Sequence, residues 1–184
     1  SATTNGSGIA TVGSWTLGGT VGSNTLTATS AGLAGSPVTF SATGTVGATA
    51  SMTKTAGDNQ AATAGPTITV APSVTIRDAN GNPVSGVSVT FAIVSGGGSV
   101  IGGSAATNGS GVATVGSWTL GAVAGSNTLS ATAGALSATF SATGNAGSAT
   151  SITLNGGDNQ AATVGSTLAT AISVVVRDGS SNAV

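Results

Sequence analysis

The chain repeats itself at the length of a small domain. SGIATVGSWTLG (Ser7 to Gly18) returns as SGVATVGSWTLG (Ser110 to Gly121), 103 residues further along. GDNQAAT occurs at Gly57 and again at Gly157, a spacing of 100. From Ser1 to Thr29, 23 of 29 positions equal those of Ser104 to Thr132. Recurrence at this period describes an array of modules. An enzyme needs one site, whereas an array supplies reach, stiffness or many equal contacts. The two spacings differ because TSAGLAGSPVTF (Thr29 to Phe40) is longer than its counterpart TAGALSATF (Thr132 to Phe140). Insertions of this kind fall in loops, which predicts a strand boundary near Gly32 to Ser36.

Strand patterning is clearest in mid-chain. Val87, Val89, Phe91 and Ile93 alternate with Ser88, Thr90 and Ala92, a period of two that gathers the larger apolar groups on one face. ANGNPVSG (Ala79 to Gly86) and SGGGS (Ser95 to Ser99) bracket the run with turn residues. In GVATVGSWTLG, Ala113 and Val115 share one phase and Trp118 and Leu120 the other, so a β-bulge is expected at Gly116-Ser117. Leu129 with Ala131, and Ala138 with Phe140 and Ala142, give further alternating runs, as do Val74 with Ile76 and Val174 to Val176. Glycine at 31 residues, with abundant Ser, Thr, Ala and Val, suits strands joined by tight turns and disfavours helix.

Short strands about every ten residues, with turn signals between them, predict an all-β chain of tandem immunoglobulin-like antiparallel sandwiches. In this register residues 1–47 are the C-terminal half of one module, 48–145 a complete module and 146–184 the N-terminal half of a third. Phe91, Ile93, Trp118, Leu120, Leu129 and Phe140 are the expected core. Residues 1–47 are accordingly expected to pack as half of a sandwich, completed either by a longer parent chain or by strand addition from a second copy. The start SATTNGSG reads as a mature or excised segment.

The order GDNQAAT, SVTIRDANGNPVSGVSVTFAIVSGGGSV, SAATNGSGVATVGSWTLG, AGSNTLSATAG, SATFSATG resembles the bacterial immunoglobulin-like repeats of the invasin and intimin type. The resemblance covers essentially the whole chain, and Asp78 to Phe91 is its most specific part. It implies sandwich modules strung in tandem in secreted or cell-surface proteins, where they act as stalks. Such repeats ordinarily carry more charge and some Tyr, so this chain departs toward a packed, filamentous or glycosylated surface.

The residue supply speaks against catalysis. Cys, His, Tyr and Glu are absent, and seven formal charges remain: Lys54, Arg77, Arg177, Asp58, Asp78, Asp158 and Asp178. Six of them form three repeat-equivalent pairs, so they are inherited per module and not gathered at one site. A Ser or Thr nucleophile would have only Lys54 as a base. A net charge of −1 gives no handle for nucleic acid or an anionic membrane. No apolar run reaches the roughly 20 residues of a spanning helix, so no membrane insertion is expected.

Individual residues read as follows. DANGN places Asp78, Asn80 and Asn82 at alternate positions, the opening of a calcium-loop pattern. The later acidic ligand is missing and the second copy reads DGSSN (Asp178 to Asn182), so a plain turn is expected and no metal. Arg77-Asp78 and Arg177-Asp178 read as local ion pairs or turn caps, and Asp58 and Asp158 as turn caps. Lys54 reads as an exposed lysine blunting an edge strand, since the equivalent Leu154 rules out a crosslink shared by the modules. Trp15 and Trp118 read as core residues before sugar-stacking ones. Asn5-Gly6-Ser7 and Asn108-Gly109-Ser110 are sequons at equivalent positions, and an N-glycan at Asn5 and Asn108 stands beside an unmodified hairpin turn.

Three functions fit. The first is a non-catalytic structural repeat of an extracellular filament or cell-surface stalk, with no cofactor, whose partners are neighbouring copies or modules of the same protein, head to tail. The second is an adhesion module for a glycan or surface receptor, which needs an exposed aromatic or charged cluster. The third is an accessory sandwich attached to a secreted enzyme or phage particle.

Overall fold

Alternating apolar runs cut by glycine- and asparagine-rich turns give strands and no helix. A computed structural model describes all 184 residues and contains fourteen strands. Between Thr49 and Asn145 the chain closes into a two-layer sandwich. One layer orders its strands β4 (Gln60–Thr63), β12 (Leu136–Asn145), β11 (Gly125–Ala133), β6 (Ser88–Ser95) and β8 (Ser104–Ala106). The facing layer holds β3 (Thr49–Ala56), β5 (Ser73–Asp78) and β9 (Val112–Thr114), and the pair β7 (Ser99–Ile101) and β10 (Ser117–Thr119) continues from it along the chain. Every pairing is antiparallel except β4, which runs parallel to β12. The architecture is all-β and immunoglobulin-like, as the alternation predicts.

The parallel pairing follows from a crossing between layers after β3. Gly57 makes that crossing, with φ at +83° and an added Cβ only 2.6 Å from the Cα of Pro72. No other residue fits there.

The core forms where the alternation converges. Val74, Ile76, Val89, Phe91, Ala113, Val115, Trp118, Leu120, Leu129, Ala131, Phe140 and Ala142 are buried in one cluster. Five of the six residues expected there are in it, and Ile93 packs half-buried at its margin. Around Gly116-Ser117 the register does shift by one residue: Ser73 pairs with Thr114, but Thr67 with Thr119. The segment before β5 stays alongside throughout, through Val115 N–H to the Pro72 carbonyl and Ile68 N–H to the Trp118 carbonyl, while β10 gains β7 on its other side. Ala113, Val115, Trp118 and Leu120 therefore all reach one core despite their change of phase. Gly116 permits the approach of β7, because a Cβ there would meet the Ile101 carbonyl oxygen at 2.7 Å.

Two-stranded sheets flank this sandwich. Before it, β1 (Gly22–Ala28) pairs with β2 (Val38–Gly44), and the inserted segment forms the loop between them. After it, β13 (Ala149–Gly156) pairs with β14 (Ser173–Asp178). No residue of 1–47 is buried, so this segment has no closed core of its own. Phe40 is 51% exposed, whereas its repeat equivalent Phe140 is wholly buried. In residues 148–184 only Asp178 and Asn182 are buried, and both are polar.

Candidate functional site

The buried polar pair marks where successive repeats meet. Asp78 lies at the end of β5, and the turn that follows folds back on itself. Arg77 Nη1 donates to the Gly81 carbonyl at 2.7 Å, and the Asp78 amide donates to the Asn82 carbonyl at 2.9 Å. Within the turn, Asp78 Oδ1 accepts from the amides of Asn80 and Asn82 at 2.9 and 2.8 Å. Its Oδ2 accepts from Asn82 Nδ2 at 3.0 Å and from the Gly47 amide, in the connection preceding the sandwich, at 3.0 Å. Asn82 then reaches the loop before β1. Its Nδ2 donates to the Gly19 carbonyl at 2.8 Å, and its Oδ1 accepts from the Val21 amide at 3.3 Å.

The same clasp recurs one repeat later. Asp178 accepts from Ser180, Asn182 and Gly147 amides at 2.9, 2.8 and 2.8 Å, and from Asn182 Nδ2 at 2.9 Å. Asn182 Nδ2 donates to the Ala122 carbonyl at 3.0 Å, and its Oδ1 accepts from the Ala124 amide at 2.7 Å. Arg177 Nη1 donates to the Ser181 carbonyl at 2.7 Å. Each aspartate thus ties the inter-repeat connection and each asparagine ties the neighbouring loop.

The electrostatics follow from the donors. Each carboxylate accepts four N–H bonds, led by the Asn82 or Asn182 carboxamide and the Gly47 or Gly147 amide, and each is held at a pKa of about 2. Hydrogen bonding to the charged form is the cause. The oxygens of Asp78 and Asn82 are taken up by N–H donors, and the two arginines brace their turns through backbone carbonyls and form no ion pair with the adjacent aspartate. Asn82, which the sequence offers only as a calcium-loop or plain turn position, and its equivalent Asn182 instead reach across the junction. Their one signal was the Asp-x-x-x-Asn spacing kept in both copies.

Of the remaining charged residues, Asp158 lies beyond the sandwich and accepts only from the adjacent Asn159 Nδ2 at 3.0 Å, while Lys54 and Asp58 brace the sandwich. Asp58 does not cap its own turn but crosses to β12, where its Oδ1 accepts from the Ser141 amide at 2.9 Å. Lys54, on the edge strand β3, pairs with Asp58, donates to the Thr139 carbonyl at 3.2 Å and lies 6.0 Å from the Phe140 ring centre. The Lys54 bond, followed by the Ser141 amide, lowers the Asp58 pKa against its partial desolvation. Trp118 is fully buried in the core and its indole N–H meets no acceptor, whereas its repeat equivalent Trp15, also expected in a core, is only half-buried because no layer covers residues 1–47. Asn5 and Asn108 are exposed at turns, and each Oδ1 accepts two backbone amides, from Ser7 and Ile9 and from Ser110 and Val112. A hollow of about 830 Å³ lies on the open side of β1 and β2, lined by Val12, Leu26, Leu33, Val38 and Phe40.

Among solved structures, the D00–D0 domain of intimin matches 58% of this chain at 28% identity, with a TM-score of 0.40. The likeness is to an intimin-type immunoglobulin-like domain. Domains 4–9 of the surface layer protein SbsC match the whole chain at 15% identity, with a TM-score of 0.44. The chain spans 53% of the intimin structure and 31% of the surface-layer one. No family model matches the chain, and no curated protein does.

Proposed function

We propose that this chain is a non-catalytic structural segment of a cell-surface stalk or extracellular filament, in which a complete module, 48–145, stands between parts of two others. The observation that carries this reading is the recurrence of one clasp, with the same donors and acceptors, at two successive junctions. A flexible linker needs no such bonds, whereas a stalk that must hold its direction needs them at every junction. The partners are then neighbouring modules of the same protein, head to tail. Asn5 and Asn108, exposed at equivalent turns, are the proposed positions for glycans on a surface otherwise poor in charge. The adhesion reading needs an exposed aromatic platform: the complete sandwich keeps Phe91, Trp118 and Phe140 in its core, and only Phe40 and the half-buried Trp15, in residues 1–47, are left uncovered.

Small-angle scattering and negative-stain images of the purified chain test the stalk. The expected particle is an elongated rod with a narrow spread of bend angles. A freely jointed string of beads would refute it, and selective retention on immobilised glycans would favour adhesion.

A further inference from the structure

Two nearly identical junctions differ where their surfaces face each other. Between Ser1–Thr29 and Ser104–Thr132 there are six differences, at positions 3, 9, 19, 20, 21 and 27, and three of them fall on the loop gripped by the clasp. Gly19, Thr20 and Val21 in the first copy are Ala122, Val123 and Ala124 in the second. On the opposing turn the aspartate and asparagine are kept, but the residues between them change: Ala79, Asn80 and Gly81 become Gly179, Ser180 and Ser181.

One pair of these changes is complementary in volume. A Cβ added to Gly19 would stand 3.3 Å from Asn80 Oδ1, 3.5 Å from its Cγ and 3.7 Å from its Cβ. The Asn80 side chain therefore lies over Gly19, and a methyl group there would press its carboxamide oxygen back by a few tenths of an ångström. At the second junction the methyl is present, on Ala122, and the opposing side chain has shrunk to Ser180. The backbone does not demand glycine at position 19, whose φ lies outside the left-handed region. Asn80 is the one feature that asks for it.

We propose that residues 19 and 80, and likewise 122 and 180, are matched pairs that address each module end to its own neighbour. This deepens the stalk reading and rests on it. In an array of near-identical modules the Asp–Asn clasp is common to all junctions and cannot tell one from another. Discrimination must come from residues that differ, by crowding the wrong pairing or leaving it loose. An alanine loop against an asparagine turn is tight at the carboxamide oxygen. A glycine loop against a serine turn is underfilled.

The test is a pair of reciprocal double-mutant cycles on the full chain, read by amide hydrogen exchange at Val21 for the first junction and Ala124 for the second. Gly19→Ala should speed Val21 exchange at least about twofold, the lower end of coupling between contacting residues, while core amides such as Leu129 stay unchanged. Adding Asn80→Ser should return Val21 to its original rate. At the second junction Ser180→Asn should speed Ala124 exchange, and Ala122→Gly should restore it. The proposal is overturned if the single substitutions are silent or if the second substitution fails to rescue. Asn82→Ala separates the two levels: if it frees Val21 while Gly19→Ala does not, the clasp stands and the matching falls.

Discussion

Asn82→Ala removes three hydrogen bonds and no apolar contact of consequence. Two of them cross the junction, to the Gly19 carbonyl at 2.8 Å and from the Val21 amide at 3.3 Å. The third, to Asp78 at 3.0 Å, stays within the turn. A neutral hydrogen bond contributes about 1 kcal/mol net, and the 3.3 Å bond is at the long limit of useful geometry. The crossing pair is then worth about 1–2 kcal/mol. Gly19 and Val21 are exposed, so water takes up the freed groups and no burial penalty is added. At 1.4 kcal/mol per tenfold, the junction should open about 5- to 30-fold more often. Amide exchange at Val21 should rise by that factor. Gly47 should keep part of its protection, because Asp78 still holds it. Asn182→Ala should do at least as much, since its bond from Ala124 is 2.7 Å and the side chain is buried. If both substitutions leave Val21, Ala124 and the rod length unchanged, the asparagines do not hold the junctions and the stalk argument loses its support.

Acid should loosen the junctions in a defined window. Asp78 and Asp178 have pKa values lowered from 3.8 to about 2, so their contribution is present above about pH 4 and is lost as pH falls through about 2; Gly47 and Gly147 amide protection should follow that course. Ser181 sits at φ +69° where the first copy has Gly81 at +84°, so Ser181→Gly should relieve strain and raise stability by up to about 1 kcal/mol, whereas Gly81→Ala should lower it by a similar amount, both read from denaturant midpoints. A chelator should leave the melting temperature unchanged, since amides occupy the aspartate oxygens; a fall of many degrees would restore the calcium reading. Leu129→Ala, at a wholly buried site between β6 and β12, should destabilise the sandwich by about 2–5 kcal/mol in the same denaturant assay.

What the sequence made legible is local or repeated. The alternation of Val87, Val89, Phe91 and Ile93 reports a face because strand geometry has a period of two, and β6 does bury Val89 and Phe91. The phase change at Gly116-Ser117 was visible too, but periodicity says only that side chains are re-aimed. A bulge and a newly gained sheet partner leave the same trace in sequence, and here both occur: the register to the segment before β5 shifts by one residue, and β7 joins on the other side. The clasp was less legible still. Asn82 meets Gly19 and Val21 across separations of 63 and 61 residues, and nothing about a carboxamide in a turn says whether its amide group serves the turn or a neighbour. Burial carries the same lesson. Phe40 and Phe140 stand in almost the same local sequence, yet one is half exposed and the other sealed. The difference lies in the opposing layer, present for Phe140 in β3 and β5 and lacking for Phe40. A repeat therefore states which face of each strand is apolar, while contacts beyond its own strands decide whether that face is covered. On the stalk reading, Asp78 and Asn82 recur because each junction needs a clasp, and the proposed matching would account for the residues beside them that differ.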